Sequence, residues 1–172
     1  MNDPQARLRR IALAAVLLLA PAGVAACGGD DSADTTATTM PDMGGGEFDF
    51  GAPGDAAAAD RVIEVTAADD FSFTPNTVEV AAGETVTFRV TNRGAIVHEF
   101  VLGTEAVQDE HEEEMEEMGD MAMGDEPNAI DLEPGETKEL TWSFTASGSL
   151  LYGCHEPGHY DAGMHGDLTV SG

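Results

Sequence analysis

One run, CHEPGHYDAGM from Cys154 to Met164, constrains this chain more than any other stretch of it. It spaces a thiol, an imidazole and a thioether as Cys-x4-His-x4-Met, and Pro157-Gly158 is a turn signal that folds the run back on itself, so that His159 can reach a metal held by Cys154. Gly163 leaves room for Met164 to approach the same point. Thiolate and thioether are soft donors and imidazole suits copper, so the set points to copper rather than zinc. Two His and one Cys in a plane, with a long, weak Met bond, is the blue-copper arrangement. The run lacks one histidine. His98, 56 residues upstream of Cys154 in GAIVHEFVLG, is the candidate, because the Val, Phe and Leu around it read as the start of a buried strand. A ligand that far away has to be delivered by the fold.

At these residues the chain resembles the cupredoxins. The spacing of Cys154, His159 and Met164 is most similar to that of rusticyanin and sulfocyanin, and PGHYDAGMHGDLTV looks like their ligand loop running into a last strand. The resemblance covers roughly residues 61–172. It implies His98, Cys154 and His159 as equatorial copper ligands, Met164 as the axial one, and an all-β Greek-key β-sandwich around them. The chain departs from the pattern at Glu99. Plastocyanins and azurins usually follow the first His with Asn or Ser, whose side chain braces the copper loop.

The periodicity of residues 61–172 points the same way. RVIEVTA, TVEV and TVTFRVTN alternate apolar and polar residues, with Val86, Phe88 and Val90 on one face, and KELTWSFT does so with Leu140, Trp142 and Phe144. SLLYGC and DLTV follow. Short strands separated by Gly and Pro turns over about 110 residues predict a single β-sandwich with one core. The alternation puts Tyr152 and Cys154 on one face and His155 on the other, so His155 reads as a surface residue or one lying behind the ligands, with a ligand role left open.

Between Glu105 and Pro127 the strands are interrupted by an insert carrying 11 acids. Its centre, EHEEEMEEM, holds good helix formers and no breaker, which predicts a helix over Glu110 to Met118. His111, Met115 and Met118 fall at i, i+4 and i+7 on one face. Two readings follow: the Met face packs against the barrel, or His111, Met115, Met118 and Met121 form a secondary Cu(I) site inside an acidic surround.

The N-terminus, MNDPQARLRRIALAAVLLLAPAGVAAC, sets arginines ahead of an apolar stretch too short to span a bilayer, the pattern of a signal peptide over residues 1–26. VAAC followed by Gly-Gly reads as a lipobox, so Cys27 is expected to carry a lipid and become the mature N-terminus. Residues 28–60, rich in Gly, Asp, Ala and Thr, read as a disordered tether between that anchor and the domain. With Cys27 lipidated, Cys154 is left as a lone thiol in an oxidising compartment, where coordination protects it.

The whole chain has 33 acids against 7 Lys and Arg, a net charge of −26. Such a field excludes nucleic acid as a partner and favours cations and basic protein faces. There is no Ser/His/Asp grouping and no phosphate loop. The expectation is therefore a monomeric, non-enzymatic, extracytoplasmic protein, lipid-anchored to a bacterial membrane, that binds one type 1 copper and passes electrons to a redox partner. The alternative is a copper-handling protein, for storage, delivery or tolerance, that uses the Met/His insert as well.

Overall fold

The computed structural model describes residues 48–118 and 126–172. Ten strands and one helix follow in chain order. They are β1 (Gly51–Pro53), β2 (Arg61–Ala68), β3 (Ser72–Thr74), β4 (Thr77–Ala81), β5 (Thr85–Asn92), β6 (His98–Gly103), α1 (Glu105–Met118), β7 (Ala129–Leu132), β8 (Thr137–Phe144), β9 (Gly148–Gly153) and β10 (His165–Ser171). Two five-stranded sheets form, in the orders β1-β8-β5-β2-β3 and β4-β10-β9-β6-β7. The fold is thus the expected all-β sandwich with a helical insert.

The predicted alternation is what fills the space between the sheets. Val86, Phe88 and Val90 from β5 meet Trp142 and Phe144 from β8, all of them buried. From the other sheet come Phe100 and Tyr152, whose rings stack 5.3 Å apart. Phe73 closes on both edge-on, at 5.8 Å and 5.5 Å. Aromatic pairs in these geometries add to simple area burial, and here they lie directly beneath the end of the sandwich that carries Cys154.

Composition places residues 28–60 in a tether, and the structure corrects this for the final part. Phe48 and Phe50 each lie 5.3 Å from the Trp142 ring, and Gly51 to Pro53 pair with Phe144 to Trp142 of β8. Composition averaged over the stretch hides the two phenylalanines of EFDF. Gly51 is required there, since the backbone of Ser143 occupies the place where its Cβ would sit. Cys27 lies outside the described residues.

The helix is also longer than predicted, beginning at Glu105 rather than Glu110. Thr104 supplies the missing start: its hydroxyl accepts from the Val107 N–H at 3.3 Å and its carbonyl from the Gln108 N–H at 3.0 Å. Val107 packs on the core and Gln108 and His111 are buried beneath the helix, while Met115 is half-buried. No helix of the described residues is long and apolar enough to cross a membrane.

Candidate metal centre

Three elements converge on one end of the sandwich. His98 opens β6, Cys154 follows the last residue of β9, and His159 sits at the top of the loop joining β9 to β10. The loop takes its shape from local hydrogen bonds. The His159 N–H donates to Glu156 O at 2.8 Å, the Met164 N–H to His159 O at 3.0 Å, and the Cys154 N–H to Met164 O at 3.1 Å. Gly158 and Gly163 hold φ of 79° and 96°, in the left-handed region that favours glycine. At Gly163 a Cβ would meet nothing within 4 Å, so the turn, and not space for Met164, is what requires glycine there.

His98 Nδ1 lies 3.9 Å and His159 Nδ1 3.2 Å from Cys154 Sγ, and the three donor atoms all fall within 4.8 Å of one another. Cys154 and His98 are wholly buried, and His159 is 9% exposed. Met164, also wholly buried, belongs to the same core cluster as Cys154 and is tied through its backbone to both Cys154 and His159. Among the described residues Cys154 is a free thiol. The donor atoms of His98, Cys154 and His159 are therefore brought together across 56 residues of chain between His98 and Cys154, with the Met164 backbone bonded to Cys154 and His159 beside them.

The donors are set up for a soft cation. Burial pushes the Cys154 thiol up to about 12, an effect that the Glu99 and Glu156 N–H groups oppose and their carboxylates reinforce. Burial, aided by the charge of His98, holds His159 below its ordinary value and so keeps its ring neutral. A buried thiol beside the neutral His159 ring has little reason to ionise unless a cation takes the proton's place, and metal uptake then releases that proton. Thiolate, two imidazoles and a thioether fit copper better than a hard or tetrahedral structural metal.

Each ligand is held from behind. Asp69, in the turn after β2, accepts from the Ala95 N–H at 2.8 Å and places Oδ1 3.3 Å from His98 Nε2. A proton on Nε2 leaves Nδ1 as the free lone pair facing the thiol. Phe71, with a positive φ of 57°, lays its ring 4.7 Å from that of His159. The Glu99 N–H donates to Cys154 Sγ at 3.2 Å. No sequence signal pointed to Asp69 or Phe71, which reach the site from a turn about 30 residues before His98.

The histidine beside Cys154 is buried, which corrects the surface alternative for His155. Its Nε2 lies 2.7 Å from Gln108 Oε1 and its Nδ1 2.6 Å from Glu112 Oε2, both on α1. The Gln108 amide group already donates to Val101 O and Leu151 O, so its oxygen must accept and His155 Nε2 must donate. Burial, with the nearby His111 charge, pushes the His155 imidazole down to about 3. Burial, then the charges of Asp161 and Glu116, raises Glu112. With both ring nitrogens engaged by the helix, His155 points away from the metal donors.

His111 proves to face carboxylates rather than thioethers. Glu99 Oε1 lies 3.0 Å from its Nε2 and Glu126 Oε2 3.2 Å from its Nδ1. Burial works against its charge, but the hydrogen bonds and charges of Glu126 and Glu99 prevail and raise it to about 10. Both nitrogens are thus engaged by carboxylates. His111, Glu114 and Glu126 bring donor atoms within 4.8 Å of one another, so the histidine that the sequence groups with methionines sits among carboxylates. Met115 is half-buried, and Met121 and the Met118 side chain lie outside the described residues.

Residues 59–171 match the family of copper-binding proteins described as plastocyanin/azurin. The chain belongs to that family. This cupredoxin is 42% identical over 149 residues to the copper-resistant cuproprotein CopI of Pseudomonas aeruginosa, covering 70% of this chain and 82% of the relative. It is 46% identical over 121 residues to the protein of the same name from Rubrivivax gelatinosus, covering 70% of this chain and 73% of the relative. Among solved structures it resembles auracyanin A, a blue copper protein from Chloroflexus aurantiacus. That likeness has a TM-score of 0.55 at 30% identity over 64% of this chain and 98% of auracyanin A.

Proposed function

We propose that this cupredoxin is a copper-handling protein of the extracytoplasmic space, which takes up copper at His98, Cys154, His159 and Met164 and thereby protects the cell from it. The observation that carries this reading is the likeness, over 70% of the chain, to relatives named copper-resistant cuproproteins. The site's chemistry supports it. A buried thiol beside two imidazoles and a thioether is a soft donor set that suits copper. Around them, the strongly acidic surface concentrates cations at low ionic strength. The reading is non-enzymatic, and it takes the chain as a monomer held at the membrane through a lipid on Cys27. Copper tolerance of a deletion host carrying the wild-type or the Cys154→Ser gene tests it. Tolerance restored equally by both sinks the assignment. A Cys27→Ala protein that stays just as membrane-bound removes the anchor.

A contribution from the insert belongs to the same proposal, through Met115, Met118 and Met121 beside His111. Cu(I) titration of the Cys154→Ser protein, with and without Leu at those three positions, measures it. Leu preserves apolar volume, so equal binding returns the methionines to packing.

The likeness to a blue copper protein and the closely tied ligand loop favour a second reading, electron transfer to a partner with a basic docking face. Bound copper would supply a one-electron Cu(I)/Cu(II) couple, while the hydrogen-bonded loop and buried ligands would keep the geometry fixed. Stoichiometry separates the readings, since a carrier needs one copper and a store holds more.

A further inference from the structure

We propose that α1 braces the copper-ligand loop, with Glu99 and His111 as positioning residues and the Cys154 sulfur as the atom they hold in place. The proposal rests on copper ligation at His98, Cys154, His159 and Met164. Glu99 reaches three things at once. Its N–H donates to Cys154 Sγ at 3.2 Å. One carboxylate oxygen accepts from the N–H of His155, the first residue of the ligand loop, at 3.3 Å. Both oxygens lie 3.0 and 3.1 Å from His111 Nε2 on α1. The side chains of Glu99 and His111 are 4% and 3% exposed, so water does not stand in for the pair.

A second grip lies one turn earlier on the helix. Gln108, wholly buried, fixes the carbonyls of Val101 and Leu151 with its amide group and takes the His155 ring proton with its oxygen. Tyr160 stacks on the His155 ring at 4.4 Å, closing it in from the loop side. A helix that merely covered apolar surface would bury an apolar face. The contact face of α1 is instead Gln108, His111 and Glu112 beside Val107, and their hydrogen-bonding atoms are spent on β6, β9 and the residue after the thiol, apart from His111 Nδ1, which meets Glu126. A carboxylate buried this deeply cannot lose its partner without turning away or admitting water, and either change moves the N–H that points at the sulfur.

The test uses the full chain loaded with copper. His111→Leu removes the donor and His111→Gln restores a hydrogen bond to Glu99, while Glu113→Gln, on the exposed face, is the control. Copper affinity by chelator competition, the reduction potential, and the copper–sulfur stretch by resonance Raman are read for each. Loss of a residue behind a metal ligand weakens affinity by about 10–100-fold, and that is expected for His111→Leu, with a shifted stretch and potential. His111→Gln should recover part of each change, and Glu113→Gln should match wild type. An unchanged stretch and potential in His111→Leu, even with a lowered melting temperature, overturns the proposal by making α1 a stabilising cover only. Should His111→Leu fail to fold, Gln108→Met removes the second grip at similar volume, with the same expected shift and the same overturning result. Failure of the wild-type chain itself to take copper refutes the ligation reading and the brace with it. Copper uptake with indifferent variants refutes the brace alone.

Discussion

The two flanks of the metal centre are built on opposite plans. On one side Asp69 and Phe71, 43% and 37% exposed, lean on His98 and His159 from a turn. On the other, Glu99, Gln108, His111 and His155 form a connected polar network that is almost wholly buried. An exposed carboxylate is screened and replaceable by water, so it orients its histidine at little stake. A buried network holds its parts firmly only while each group keeps its partner, and losing one leaves an orphan that nothing solvates. The solvent-facing flank can therefore vary without upsetting the fold, whereas the helix flank couples ligand geometry to the stability of the insert.

Both flanks meet at Cys154, and removing its sulfur should have the largest effect. Cys154→Ser is expected to abolish the intense visible band that Cu(II) produces with wild-type protein, because thiolate-to-copper charge transfer needs the thiolate. A Ser variant that stays blue would take the site out of this region altogether. Next comes the buried flank. Gln108→Leu strands the His155 ring N–H and two strand carbonyls, so chemical denaturation of the copper-free protein should show a loss of about 1–3 kcal/mol. A loss no larger than that of an exposed helix substitution would erase the distinction between the flanks.

The pH dependence should be smaller and one-sided. His111 is raised from 6.5 to about 10 in the folded protein, so the stabilisation it brings is complete below about pH 6.5 and is lost as pH climbs toward 10. The difference in melting temperature between wild type and His111→Gln should shrink over that interval. A difference that grows instead would mean the Glu99 and Glu126 contacts do not hold the charge. The smallest effect belongs to the exposed flank. Asp69→Asn keeps an acceptor for His98 and the Ala95 N–H, and should lower copper affinity by less than about tenfold, under the usual range for a carboxylate behind a metal-bound histidine. A larger loss would show the turn to be coupled to the copper as firmly as the helix is.

How much of this was legible in the chain follows the range of the interactions. Soft donors at Cys-x4-His-x4-Met and alternation in TVTFRVTN and KELTWSFT are local, and chemistry and period speak through them directly. Phe48 and Phe50 were missed because burial depends on a partner, Trp142, some ninety residues away. His111 was grouped with methionines because helical spacing tells which residues share a face but not what that face meets.

By itself, then, the sequence pointed to a candidate donor set and determined the sandwich and the existence of a helical insert, since residue chemistry and short periods are properties of neighbouring positions. Only the tertiary structure decided that His98 meets Cys154, that Asp69 stands behind it, and that the insert turns His111 and Gln108 toward the ligand loop. Those outcomes depend on which strands pair and on which polar groups, once excluded from water, can find one another.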